Sequence, residues 1–168
     1  MNFHRAIGCL GVVIIVALGN SAMATTLVGR VVGVADGDTV TVLDSANQQF
    51  KIRLAGIDAP EKRQAFGQRS KQSLSAMVMG RDVRVEYQGR DRYGRIVGKV
   101  LVEGMDACLA QVRSGMAWHY KKYQADQSPA DRATYAAEED GARGRREGLW
   151  SDPYAEPPWD FRRRQKGL

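Results

Sequence analysis

The sequence predicts a mainly β chain with helices, folded as a small five-stranded Greek-key barrel of the OB type with about three helices packed beneath it. Three observations lead there. Five segments carry strand periodicity, the first three are joined by short turns, and a helical segment follows the third. The 168 residues suffice for one domain around a single core.

Thr25 to Val34 alternates loosely between β-branched and small residues and reads as the first strand. Asp36-Gly37 is a hairpin turn signal, and TVTVL at Thr39 to Leu43 resumes as the second. A turn at Ser45-Ala46-Asn47 leads to a third strand, Gln49 to Ala55. Gln68 to Met79 sets Leu74, Met77 and Val78 at helical spacing, with Gly80 at the stop position. DVRVEY at Asp82 to Tyr87 alternates cleanly, and Ile96 to Val102 follows the Gly94 turn as the fifth strand.

Asp106 is the expected N-cap of a helix over Ala107 to Arg113, stopped at Gly115. Ser128-Pro129-Ala130-Asp131 opens a last helix with a capping residue, a proline at the first position and an acid three residues on. That helix is expected to weaken at Gly141 and Gly144. From Pro153 the chain reads as a strap ending in a frayed basic stretch, Arg162-Arg163-Arg164.

Residues 1–24 stand apart. A short basic start, an apolar run from Ala6 to Gly19 and small residues at Ala22 and Ala24 predict a signal peptide cleaved after Ala24. The apolar run falls short of the roughly 20 residues a bilayer span needs. Export to the periplasm or the medium is therefore expected, without stable membrane association. The remaining chain divides into a domain at 25–160 and a basic tail at 161–168. It keeps a modest basic excess, compatible with a polyanionic partner. One cysteine remains, Cys108, so no internal disulfide can form. His119 is the one remaining imidazole, which excludes catalytic schemes and metal sites needing two histidines.

The chemistry concentrates between Asp36 and Arg95. Asp36 and Asp38 are two apart, so in extended chain their carboxylates share a face. A calcium loop of the EF-hand kind starting at Asp36 would need glutamate at its twelfth position, where Asn47 stands. Asp58-Ala59-Pro60-Glu61 sets two more acids three residues apart. Arg53 lies five residues before Asp58, an odd separation that a regular strand would send to opposite faces. A bulge at Gly56 is expected to restore a common face. DRYGR at Asp91 to Arg95 read alone is a turn with a solvated rim. Taken together, carboxylates that hold a hard divalent cation and arginines that neutralise a phosphate are the parts of a metal-assisted phosphodiesterase.

DGDTV, then R-x(4)-D-x-P-E, then D-x-Y-G-R, then GLWSDP resembles the thermonuclease (staphylococcal-nuclease-like) family over roughly Thr25 to Trp159. The resemblance implies a calcium-dependent, OB-fold endonuclease that cuts DNA and RNA with little sequence preference and leaves 3′-phosphate ends. It implies that Asp38 and Asp58 ligate Ca2+ directly, that Asp36 supports the site through water, and that the carbonyl of Ala59 is a further ligand. The family's usual threonine is replaced there by Ala59, which keeps the carbonyl and loses a hydroxyl. Glu61 would position or deprotonate the attacking water, and Arg53 and Arg95 would grip the phosphate. Arg92 and Tyr93 are candidate substrate contacts. So are Tyr120 and Tyr123, with the choice between them open, since an aromatic ring stacks on any base. A monomer is expected. The alternative is a non-catalytic OB-fold nucleic-acid-binding or interaction module, disfavoured because the acids and arginines are all present.

Overall fold

The computed structural model describes residues 25–167; the expected signal peptide lies outside the described residues. In chain order the elements are β1 (Thr25–Val34), β2 (Thr39–Leu43), β3 (Gln49–Leu54), β4 (Ile57–Asp58), α1 (Gly67–Val78), β5 (Asp82–Arg90), β6 (Ile96–Val102), β7 (Met105–Asp106), α2 (Ala107–Arg113), β8 (Trp118–His119), α3 (Pro129–Gly144) and α4 (Pro158–Gln165). Two 3-10 turns lie at Lys121–Asp126 and Gly148–Ser151.

The five long strands close a ring in the order β3-β2-β1-β5-β6, and parallel pairing of β6 with β3 seals it. This is the OB-type barrel the strand pattern predicts. Its driving force is visible along β6, where Ile96, Val100 and Val102 point inward while alternate residues stay partly exposed. They meet Val31, Val40, Val42, Ile52, Val83 and Val85 in one core. Helices α1, α2 and α3 cover it through Leu74, Val78, Val112 and Tyr135. Among the described residues no helix is long and apolar enough to cross a membrane.

The helix caps follow the sequence. Asp106 accepts from the backbone N–H groups of Cys108 and Leu109, and Ser128 accepts from that of Asp131. Tyr135 donates to Asp106 Oδ2 at 2.7 Å, which ties α3 to the start of α2. Cys108 is fully buried, and desolvation pushes its thiol well above the ordinary range, so it packs as an inert apolar group.

Several elements depart from expectation. β3 ends at Leu54, and β5 runs on to Arg90 through a register shift between Tyr87 and Gly89. α3 continues unbroken to Gly144 because Tyr135, Glu139 and Ala142 are buried against the domain, outweighing the glycine cost of about 1 kcal/mol each. The expected frayed basic end is helical: α4 starts with a proline in its first turn, carries Asp160 there, and sets Arg162, Arg163 and Arg164 in its last turn, each favourable to the helix dipole. It is a fourth helix beyond the three expected, and it runs across the boundary drawn at residues 160 and 161.

Candidate active site

The acid loop between β1 and β2 is pinned from below. Gln111 on α2 donates through Nε2 to Gly37 O at 2.8 Å and to Ser70 O at 3.0 Å. A Cβ on Gly37 would sit 1.8 Å from Ser70 Oγ and 2.8 Å from Ala59 Cβ, so glycine alone lets this loop lie against α1. Asp36 and Asp38 consequently face one site. The Asp38 backbone N–H donates to Asp36 Oδ1 at 3.2 Å, and Asp38 Oδ2 accepts from the Ala59 N–H at 2.7 Å. Burial, followed by the charge of Asp38, pushes the Asp36 carboxyl up to about 6.

Arg53 binds the two acid segments together. Its Nη2 lies 2.9 Å from Asp58 Oδ1 and 3.2 Å from Asp38 Oδ2, while Nη1 donates to the carbonyls of Leu54 and Ile57 at 2.8 and 2.9 Å. The fork thus spans the turn between β3 and β4, and only a planar five-donor group makes all four contacts. What restores a common face for Arg53 and Asp58 is a tight turn with Gly56 at φ +74° rather than a strand bulge. β4 then pairs with β8, setting Asp58 opposite Trp118. Asp58 is 1% exposed, and burial raises its carboxyl above the ordinary range against the pull of Arg162 and Arg53.

Glu61 joins the cluster through Arg162, which belongs to the stretch the sequence predicts to be frayed. Arg162 of α4 places Nη1 2.7 Å from Glu61 Oε1 and Nη2 2.7 Å from Asp58 Oδ2. Trp159 lies one helical turn earlier on the same face and anchors the helix. Its ring stacks on Tyr120 at 5.3 Å and 13°, and meets Trp118 edge-on at 6.4 Å. The spacing of Trp159 and Arg162, three residues apart behind a pair of prolines, was the available signal.

Arg95 is not gathered in. Its Nε and Nη2 lie 2.8 and 2.7 Å from Asp91 Oδ2, within its own turn. The expectation that Arg53 and Arg95 share one pocket with the acids is therefore met for Arg53 alone. The turn closes locally because Asp91 Oδ1 also accepts from the N–H groups of Tyr93 and Arg95. Parallel register pairs Arg53 with Val97, so Arg95 shares the outer face of Arg53 and lies one pleat period, roughly 7 Å, further along the strand. Arg92 and Arg95 both lie over the Tyr93 ring, which is 71% exposed.

The two candidate tyrosines differ in access. Tyr120 has one face covered by Trp159 and meets Tyr123 edge-on at 5.2 Å. Tyr123 is 49% exposed. His119 is buried, with Nε2 2.8 Å from Gln127 Oε1 and its ring against Tyr135, so it packs rather than facing the acids.

Among the described residues, no three His, Cys, Asp or Glu side chains stand disposed as a metal-binding group. The donor chemistry nevertheless fits a hard divalent cation. Asp36, Asp38, Asp58 and Glu61 against Arg53 and Arg162 leave two negative charges, which one divalent cation would balance. Beside it lies a groove of ≈ 670 Å³ whose lining includes Lys62, Arg63 and Arg69. None of these three has an ion-pair partner among the described residues.

Residues 51–152 match the family described as "Staphylococcal nuclease homologue". The chain is 42% identical over 137 residues to an "Uncharacterized endonuclease" of Haemophilus influenzae, covering 82% of this chain and 74% of that protein. It is 41% identical over 149 residues to a "Micrococcal nuclease" of Shigella flexneri, covering 82% of each. It is 42% identical over 168 residues to "Protein ParB" of Escherichia coli, covering 95% of this chain and 90% of that one. The family match stops before α4.

Proposed function

The chain belongs to the family of staphylococcal nuclease homologues, and from that premise we propose that it is a calcium-dependent endonuclease cutting DNA and RNA with little sequence preference and leaving 3′-phosphate ends. That it is a nuclease, a hydrolase acting on nucleic acid, follows from the family. The metal, the range of substrates and the product ends are our reading. The observation that carries it is the Arg53 guanidinium held across Asp38 and Asp58, with Glu61 in the same cluster.

In this reading Asp38, Asp58 and the Ala59 carbonyl would hold Ca2+, and Asp36 would support the site through water. The cation would polarise the phosphodiester and offset charge as a nucleophile approaches. Glu61 orients a water and takes its proton as the water oxygen bonds to phosphorus. The bond from phosphorus to the 5′ oxygen breaks, and that oxygen takes a proton from solvent. Arg53 donates to the phosphate oxygens as their charge rises. Arg95 joins it by exchanging Asp91 for the phosphate.

Arg92, Tyr93 and Tyr123 contact the flanking nucleotides, favoured by their exposure, and the unpartnered cations of the groove extend that track along the strand. Tyr120 backs Tyr123 from the protein side. Cleavage of the signal peptide after Ala24 and action as an exported monomer complete the proposal.

Labelled single- and double-stranded DNA and RNA, digested with calcium or magnesium, test it. Expected are cleavage that stops with chelator and returns with calcium, and 3′-phosphate ends. Nucleic acid retarded at low salt but never cut would instead identify a binding module.

A further inference from the structure

We infer that Arg162 is a third active-site arginine, whose guanidinium contacts the scissile phosphate, and that α4 is therefore part of the catalytic site. The inference rests on the nuclease reading above. Its basis is position. Arg162 Nη1 is 2.7 Å from Glu61 Oε1 and 3.2 Å from Asp58 Oδ1, while Nη2 is 2.7 Å from Asp58 Oδ2. A phosphate lying between the base and the ligand acids comes within reach of the same guanidinium. The side chain is 38% exposed, so an anion arriving from solvent can reach Arg162 and exchange for one of its carboxylate partners.

The alternative is that Arg162 is a plug to be expelled. Charge argues against it. With Arg162 present the cluster carries two negative charges, the amount one divalent cation neutralises; with it expelled, three remain against that cation. The anchoring of α4 argues the same way. Trp159 is clamped between Tyr120 and Trp118, Pro158 is buried, and the Glu156 carbonyl accepts from Gln64 of the loop that follows Glu61. A guanidinium delivered by a packed helix is preorganised, as a transition-state donor needs to be.

Three variants test this: Arg162→Gln, Arg162→Ala and, as a control for lost charge, Arg163→Gln. Arg163 pairs with Asp160 and its side chain is 62% exposed. With folding checked by thermal melting, Arg162→Gln is expected to lower kcat on the order of 100-fold with KM within a few-fold, whereas Arg163→Gln stays near wild type. Guanidinium ion in solution is expected to restore at least about tenfold to Arg162→Ala, a readout that a structural role would not produce. Calcium titration is expected to show that Arg162→Gln still binds the ion, so that lost turnover is not lost metal. Activity of Arg162→Gln within threefold of wild type, or no restoration of Arg162→Ala by guanidinium ion, overturns the inference. An inactive wild type would sink the nuclease reading itself; an active wild type beside an equally active Arg162→Gln sinks this inference alone.

Discussion

Arg95 and Asp91 close the turn between β5 and β6 on itself, with Arg95 Nη2 2.7 Å from Asp91 Oδ2 and the Arg95 N–H 3.0 Å from Oδ1. Burial works to raise the Asp91 carboxyl, but Arg95 and the two backbone donors hold it below the usual range. A depressed native value stabilises the fold above the unfolded value of about 3.9, and that contribution disappears as pH falls through the native one. Asp91→Asn is therefore expected to flatten the acid limb of stability below about pH 4. Thermal melts across that range check it, and an unchanged slope would count against the pairing.

Arg53→Lys keeps the charge and forfeits the fork that reaches two carbonyls and two carboxylates. Turnover is expected to fall on the order of 10²–10³. Plasmid digestion measures it; cleavage within a few-fold of wild type would dismiss the assignment.

Gly56→Ala introduces a Cβ at φ +74°, 2.2 Å from Gln127 Nε2. The left-handed conformation alone costs roughly 1–2 kcal/mol. The turn also sets Asp58 beside Arg53, so activity and melting temperature are expected to drop together. A variant that loses neither would refute this account of the turn.

Glu139 is 1% exposed and accepts from the His119 N–H at 3.0 Å and from Lys121 Nζ at 2.7 Å. Glu139→Ala leaves that N–H without a partner and is expected to cost about 1–3 kcal/mol in urea unfolding. Glu139→Gln retains the acceptor and is expected to cost clearly less. Equal losses in the two variants would show that the lost negative charge, which faces Lys121 and Arg143, matters rather than the acceptor.

The barrel strands were legible because one face of each is buried, which imposes the period-two pattern seen in β2, β5 and β6. β4 and β8 were not, since two residues cannot display a period, yet their pairing aims Asp58. α4 was hidden for a different reason. Its proline and arginine content conceals an apolar signal carried by Trp159 and Phe161, and tertiary stacking of Trp159 rather than propensity stabilises it. In the site, short spacings pair Asp36 with Asp38 and Asp58 with Glu61, and the joint motif brings Arg53 to them. Arg162 lies 104 residues from Asp58, a separation no local pattern reports. Arg95 was grouped by kind of residue, and the nearer acid at i−4 won the contact.

The seam where Ile52–Leu54 runs beside Ile96–Gly98 covers the inner ends of β3 and β6, which would otherwise be free borders of the sheet. An exposed border is the usual template on which sheets from neighbouring molecules assemble into aggregates. Parting of the seam would uncover that border, so resistance to fibril-like association there is coupled to the stability of the barrel.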